Sequence, residues 1–179
     1  KILNEYPKDV NYRYLYNVFH FLSFEYYHQL KLNKKESQYF EKINDELPAL
    51  LLYNFCCFSS RLLSSKVERY LHLQKEDALY AESLQLMESY VPDQADVCTY
   101  VSFMKHLAVS AFYADKYNEA IVHLNKLLNE VSFKDFVHAE IEIKLLLTLV
   151  YSMANKYDSA DNILRSASRK IREINKDGT

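Results

Sequence analysis

The sequence contains almost no glycine. Its 179 residues include one glycine, Gly178, and three prolines, Pro7, Pro48 and Pro92. Tight β-hairpins usually need Gly or Asn-Gly at their turns, and Gly and Pro are the residues that most often interrupt helices. The composition therefore predicts an all-α chain that is helical along nearly its whole length.

The shortage of glycine also excludes several kinds of catalytic or nucleotide-binding site. Phosphate-binding loops, dinucleotide-binding fingerprints and nucleophile elbows need glycine for backbone conformations that other residues adopt only at a cost. None of these motifs occurs in the sequence. Since no Ser/His/Asp or Cys/His set is indicated either, we predict no catalytic residues, no enzymatic activity and no cofactor.

Cysteines and long apolar runs are scarce as well. The three cysteines, Cys56, Cys57 and Cys98, form no CxxC pair. They favour small buried thiols in a reducing compartment over a disulfide framework or a zinc site. No apolar run reaches the roughly 18 residues that a membrane span needs. We therefore predict a cytoplasmic location and no membrane partner.

The net charge of −2 gives no indication of nucleic-acid binding. The basic residues of the last predicted helix are interpreted as a solvated face that suits a helix C-terminus. Because residue 1 is Lys rather than Met, we expect the sequence to be a piece of a longer or processed protein.

A repeat of about 40 residues runs through the chain. Four similar short segments contain Lys34, Lys75, Lys116 and Lys156, which are 41, 41 and 40 residues apart. A constant interval of this length is typical of helical-repeat proteins. Each segment lies between stretches with apolar residues three and four positions apart, so we predict a hairpin turn between two helices. The eight predicted helices are 9–32, 34–46, 48–73, 75–90, 95–114, 117–130, 135–154 and 157–174.

These helices pair into four predicted hairpins within one domain, 1–179, with Pro48 and Pro92 marking the starts of new repeats. The repeats are 9–46, 48–90, 95–130 and 135–174. The first helix of each pair, the inner helix, is largely apolar, and the second, the outer helix, keeps a charged face. The first inner helix has a narrow polar strip at Arg13, Asn17 and His20. The apolar positions of the first two outer helices are Tyr39, Ile43 and Leu47, then Tyr80, Leu84 and Met87. Tyr39 and Tyr80 are 41 residues apart, as are Ile43 and Leu84, so we predict that they are equivalent.

The chain resembles the tetratricopeptide-repeat (TPR) family, most clearly in its third and fourth repeats. The fourth repeat carries its motif at Tyr151, Tyr157, Ala160, Leu164 and Ala167. The third carries it at Leu107, Ala108, Tyr117, Ala120 and Leu124, with Leu127 where Ala is usual. The first two repeats keep the interval but not the motif. The resemblance implies a right-handed superhelix of about four antiparallel helical hairpins, whose concave groove binds proteins or peptides without catalysis.

The resemblance also implies which residues line that groove. On the third inner helix they are Lys105, Val109, Phe112 and Tyr113, and on the fourth they are Leu145, Leu149 and Met153. Of the basic clamp with which some family members hold a C-terminal carboxylate, only Lys105 is present. The groove therefore suits an amphipathic helix or a hydrophobic peptide. The competing interpretation is that these side chains pack between helices.

Three other functional hypotheses remain open from the sequence. The chain is a peptide-sensing regulatory domain of a larger transcription regulator or signalling protein, or it forms a homo-oligomer through its aromatic surface. The third hypothesis is a helix-bundle metal protein, for which Glu25-x-x-His28 and Asp135-x-x-His138 are the best candidate ligand pairs. Because one pair begins with Asp and lies at a predicted helix start, we predict no metal site.

Overall fold

The computed structural model describes residues 10–52 and 57–177, and the side chains of 11–52 and 58–175. Within these ranges all regular secondary structure is helical, which confirms the all-α prediction. The helices are α1 (Val10–Gln29), α2 (Asn33–Asn44), α3 (Leu47–Leu51), α4 (Cys57–His72), α5 (Glu76–Ser89), α6 (Val97–Tyr113), α7 (Tyr117–Glu130), α8 (Val137–Met153) and α9 (Tyr157–Asp177).

The predicted helix 48–73 corresponds to two helices, α3 and α4. Pro48 lies in the first turn of α3, where its missing N–H leaves no intrahelical bond unmade. Pro92 lies in the segment between α5 and α6, so both prolines fall at the predicted breaks. The predicted continuation of helix through 53–56 lies outside the described residues.

The chain divides into two compact units, Lys1–Ser65 and Lys66–Thr179, with the division falling inside α4. In the first unit α1 packs against α2. In the second unit α5 packs against α6, α6 against α7, α7 against α8 and α8 against α9. None of the helices in the described ranges is long and apolar enough to cross a membrane. Cys98 is exposed and free, contrary to the expectation of a buried thiol, and Cys56 lies outside the described residues.

Four turns share one backbone geometry in spite of having no glycine. Lys31, Gln74, Asp115 and Asn155 each have a positive φ, between 54° and 59°. At the end of α6, Lys116 N–H donates to the Ala111 carbonyl at 2.8 Å and Asp115 N–H donates to the Phe112 carbonyl at 3.1 Å. Equivalent pairs of bonds end α1, α4 and α8. This Schellman arrangement satisfies the last carbonyls of each helix and sets the register between repeats.

This register corrects the sequence alignment of the first repeat. Lys75, Lys116 and Lys156 directly follow the residue of positive φ, as counterparts should. In the first repeat that position belongs to Leu32, and Lys34 lies two residues further on, inside α2. The interval from Lys31 to Gln74 is consequently 43 residues rather than the 41 predicted.

The two-residue correction changes which residues of the first two outer helices correspond to each other. The predicted equivalence of Tyr39 with Tyr80 and of Ile43 with Leu84 is wrong. Counted from the turn, the counterpart of Ile43 is Leu86, and both are buried. The residues that these two helices bury nine and twelve positions after the turn residue are Phe40 and Ile43 in α2, and Ser83 and Leu86 in α5.

Two of the three residues of the polar strip on α1 are buried. Asn17 and His20 are 0% and 5% exposed, whereas Arg13 is exposed and pairs with Glu46 at 2.7 Å. The His20 ring packs against aromatic neighbours, with its centroid 4.0 Å from that of Tyr16. The helix buries this side and leaves an apolar stripe exposed, at Leu15, Phe19, Leu22 and Tyr26.

Candidate functional site

Helix α8 presents a row of apolar side chains to solvent. Leu145, Leu149 and Met153 are four residues apart and are 44%, 47% and 48% exposed. Residues four apart lie on the same face of a helix, so these three form one continuous surface. The opposite side of α8 is fully buried at Ile143, Leu147 and Val150. We call Leu145, Leu149 and Met153 the α8 row.

Helix α6 carries the matching positions. Lys105, Val109 and Tyr113 lie as many residues before the turn residue Asp115 as Leu145, Leu149 and Met153 lie before Asn155. Tyr113 is 43% exposed, and Lys105 and Val109 are half-buried. The seventh predicted residue, Phe112, is half-buried because its ring packs against Tyr113 and Tyr117, at centroid distances of 5.3 and 5.8 Å.

An ion pair joins the two helices at one end of this surface. Lys105 Nζ lies 2.6 Å from Glu142 Oε1, one helical turn before Leu145. The two side chains are 32% and 61% exposed, so water screens the pair and its contribution to stability is at most about 1 kcal/mol. The pair brings Lys105 of α6 close to the start of the α8 row.

A cleft of about 450 Å³ lies at the other end, between two turns. Its walls are residues 115–119 and 153–156, so Met153 belongs both to the α8 row and to the cleft. Lys156 Nζ donates to Asn118 Oδ1 at 2.8 Å, which links the two turns. The cleft therefore has polar walls with one apolar edge that continues into the α8 row.

The phenols beside this cleft are hydrogen-bond donors to carboxylates. Tyr117 Oη donates to Asp115 Oδ1 at 2.5 Å, and this bond raises the pKa of Tyr117 above its usual value. Tyr80 Oη donates to Glu119, and the bond, with burial and the carboxylate charge, raises the pKa of Tyr80 to about 12. Both phenols are neutral at physiological pH, and they fix the carboxylates that they contact.

The charges on the other flank of α8 hold it to α9. Lys144 Nζ lies 2.6 Å from Glu140 Oε1 and 3.0 Å from Ser166 Oγ, and Lys170 Nζ lies 3.6 Å from Glu140 Oε2. Burial acts to raise the pKa of Glu140, but the two ammonium groups outweigh it and leave that pKa lowered. This network joins α8 to α9.

The two candidate metal-ligand pairs are used differently. Glu25 accepts a hydrogen bond from Ser65 Oγ at 3.1 Å, and His28 Nδ1 lies 3.5 Å from Glu36. Asp135 and His138 are exposed near the start of α8. Within the described ranges, no group of three or more His, Cys, Asp or Glu side chains is placed to hold a metal ion.

Sequence reasoning missed a buried polar cluster in the second unit. Lys66, which is 3% exposed, pairs with Glu82 at 2.7 Å, and Tyr70 Oη donates to the other oxygen of Glu82 at 2.5 Å. Burial and the bond to Glu82 raise the pKa of Tyr70. The repeat could have revealed this lysine, because Lys66 lies eight residues before the turn residue Gln74 and the equivalent positions of α6 and α8 are Leu107 and Leu147.

Comparison of the chain with protein-family models, curated proteins and solved structures finds no match in any of the three. The assignment of a function therefore depends on the surface geometry of the second unit.

Proposed function

We propose that this chain is a non-enzymatic protein-interaction module that binds an amphipathic helix or an apolar peptide along α6 and α8. The observation that carries this proposal is the exposed α8 row, together with the Lys105–Glu142 pair that links α8 to α6. Single exposed apolar residues are common on protein surfaces. A row at helical spacing on two neighbouring helices is the pattern that helix-in-groove recognition uses.

The expected affinity follows from the exposed apolar area. Full burial of a Leu or Met side chain contributes about 1.5–3 kcal/mol, so covering each half-exposed member of the row contributes about 1 kcal/mol. With Tyr113 the gain from this side of the contact is about 4 kcal/mol. Association costs at least about that much, so binding requires the partner's own buried apolar surface to contribute a further gain. The Lys105–Glu142 pair and the Glu140 network link α8 to α6 and α9 before binding, and this lowers part of the ordering cost. We expect a modest affinity that longer partners increase by also occupying the cleft.

We further propose that the hairpins form a TPR-like superhelix within a single domain. The repeated Schellman turns support this, as do the intervals of 41 and 40 residues in the second unit. Ala120, Ala160 and Ala167 are buried at positions where the family has small residues. The partner on this proposal is a protein or peptide in the cytoplasm, not a nucleic acid or a membrane.

The test is a binding titration in which fluorescence anisotropy reports the binding of labelled amphipathic peptides that carry leucines at helical spacing. Leu149→Glu is expected to weaken binding at least about 10-fold, because it removes apolar contact and places a charge in the surface. Tyr113→Ser removes apolar contact only, and we expect it to weaken binding about 5-fold. Val122→Glu is the matched control, since Val122 is 63% exposed on the outer helix α7.

Circular dichroism of each variant separates binding from folding. Leu149→Glu should keep its helix content and its thermal midpoint close to wild type, because the side chain is nearly half exposed. Equal affinities for Leu149→Glu and Val122→Glu would contradict the proposed surface. So would the absence of binding by every peptide in the panel.

A further inference from the structure

The inter-repeat contact between α5 and α6 provides an internal template for helix packing. His106 Nε2 lies 3.0 Å from Ser83 Oγ, and the ring of Phe103 lies 5.1 Å from that of Tyr90. All four residues are buried. Through these contacts an inner helix, α6, packs on the outer helix of the preceding repeat. The residues involved define two sets of positions, which can be counted from the turn residues.

The inner-helix half of this contact is exposed on α1. Leu22 lies nine residues before Lys31, as His106 lies nine before Asp115, and Phe19 corresponds to Phe103 in the same way. The exposed members of α1 that match buried residues of α6 form one stripe: Leu15, Phe19, Leu22 and Tyr26, which are 55%, 48%, 54% and 58% exposed. Their α6 counterparts are Thr99, Phe103, His106 and Ser110, all buried. We call these four residues of α1 the α1 stripe.

The outer-helix half is exposed on α9. Leu164 lies nine residues after Asn155, as Ser83 lies nine after Gln74, and Ile171 lies sixteen after Asn155, as Tyr90 does after Gln74. Leu164 and Ile171 are 42% and 39% exposed. Their counterparts on α7, where α8 covers the helix, are Leu124 and Val131, and these are buried. We call Leu164 and Ile171 the α9 pair.

We propose that the α1 stripe of one copy of this chain binds the α9 pair of a second copy, in the way that α6 binds α5. By position, Leu22 meets Leu164 and Phe19 meets Ile171. Two aliphatic side chains thus replace Ser83 and His106, and an aromatic and an aliphatic side chain replace Phe103 and Tyr90. Both halves of the contact are on the same chain, and every side chain in the proposed pairing is apolar or aromatic.

The choice of a second copy follows from this continuity with the internal contact. A second copy supplies an inner helix whose exposed positions match those of α6, with the correct spacing for the α9 pair. The contact uses different patches on its two partners, so it is heterologous. Each copy in a pair keeps one unused patch, and association continues beyond the dimer unless a ring closes. This proposal is independent of peptide binding by the α8 row.

The test measures the mass of the 179-residue chain by light scattering and sedimentation, up to about 0.1 mM because a contact of this small size is weak. Wild type is expected to form concentration-dependent species that include more than two copies. Leu22→Glu and Leu164→Glu should each weaken self-association at least about 30-fold, since each places a charge at the centre of the contact. Val122→Glu should associate as wild type does.

Mixing the two variants distinguishes this contact from a symmetric one. Leu22→Glu retains the α9 pair, and Leu164→Glu retains the α1 stripe, so an equimolar mixture should form a 1:1 dimer and stop there. Circular dichroism checks that both variants are folded. A wild type that stays monomeric up to about 0.1 mM overturns the proposal and leaves the patches to a different partner. Variants that associate like wild type, or a mixture of folded variants that stays monomeric, overturn it as well.

Discussion

The buried charge on α4 gives the sharpest prediction about stability. Lys66 occupies a position where later repeats have leucine, and its side chain is only 4% exposed. Its ammonium group lies 2.7 Å from Glu82 Oε2, and Glu82 is 34% exposed. The cost of burying this lysine is therefore offset chiefly by one carboxylate that is itself in partial contact with water.

Replacing Glu82 by Gln removes the negative charge but keeps the shape of the side chain. The Lys66 ammonium then stays buried without a counter-charge, a change that typically costs 3–5 kcal/mol. Because Glu82 is a third exposed, water screens part of the lost attraction, and we expect a loss of about 3 kcal/mol.

Replacing Lys66 by Met removes the other charge and keeps an apolar stem of similar length. Glu82 is then left with solvent access and with its bond from Tyr70. We expect the stability to stay within about 1 kcal/mol of wild type, because a well-packed apolar side chain commonly replaces a buried ion pair at little cost. The double variant Lys66→Met/Glu82→Gln should resemble Lys66→Met, which corresponds to a coupling energy of about 2–3 kcal/mol.

Urea unfolding followed by far-ultraviolet circular dichroism measures all four free energies. Tyr70→Phe extends the cycle, and its expected cost is about 1 kcal/mol for one lost hydrogen bond. The reasoning is refuted if Glu82→Gln is no more destabilising than Lys66→Met. It is also refuted if the two single effects simply add in the double variant, since independent sites show no coupling.

Three further predictions concern the turns and the interior of α1. Gln74→Gly should raise the free energy of unfolding by about 1 kcal/mol, and Asn155→Gly by less, because Asn tolerates positive φ better than Gln; thermal unfolding of each variant measures this. Asn17→Leu should stabilise the chain by about 2 kcal/mol in urea unfolding, since both polar atoms of this buried amide have no hydrogen-bond partner within the described residues. Burial and then the charge of Lys42 lower the pKa of His20 below 6.5, so the folded state binds this proton less tightly than the unfolded chain does. The free energy of unfolding should therefore fall as the pH drops below 6.5. His20→Leu should show a smaller fall, because it removes this titration. Thermal midpoints of both proteins from about pH 8 to about pH 5 test this.

The turns show why the sequence predicts the later repeats better than the first. A residue of positive φ is usually marked by glycine, but here the four are Lys, Gln, Asp and Asn. In the third and fourth repeats the following tyrosine and alanine fix the register. Around Lys31 several polar residues occur without the following tyrosine and alanine, so the repeat pattern wrongly aligns Lys34 with the lysines of the later turns.

Helix α1 shows a second limit, which is physical. Amphipathicity identifies the buried side of a helix when one side is polar, but α1 is apolar on most sides. Packing against α2 therefore decides which side is buried. Asn17 and His20 are buried, the His20 ring lies against that of Tyr16, and Phe19 and Leu22 stay exposed. The positions of the α8 row could be predicted because the resemblance to the tetratricopeptide-repeat family implies them. Its exposure could not, since that depends on which neighbouring helices cover each face.

The exposed apolar residues of the inner helices thus have two different origins, and the difference is testable. The α8 row stays exposed although α7 packs against α8, whereas the α1 stripe occupies positions that are buried in α6. Leu149→Glu should therefore weaken peptide binding and leave self-association unchanged, while Leu22→Glu should do the reverse. Sedimentation and anisotropy measured on the same two proteins decide this. If either variant alters both properties by similar factors while its helix content is retained, the two surfaces are one, and the register that separates α1 from α8 does not describe their function.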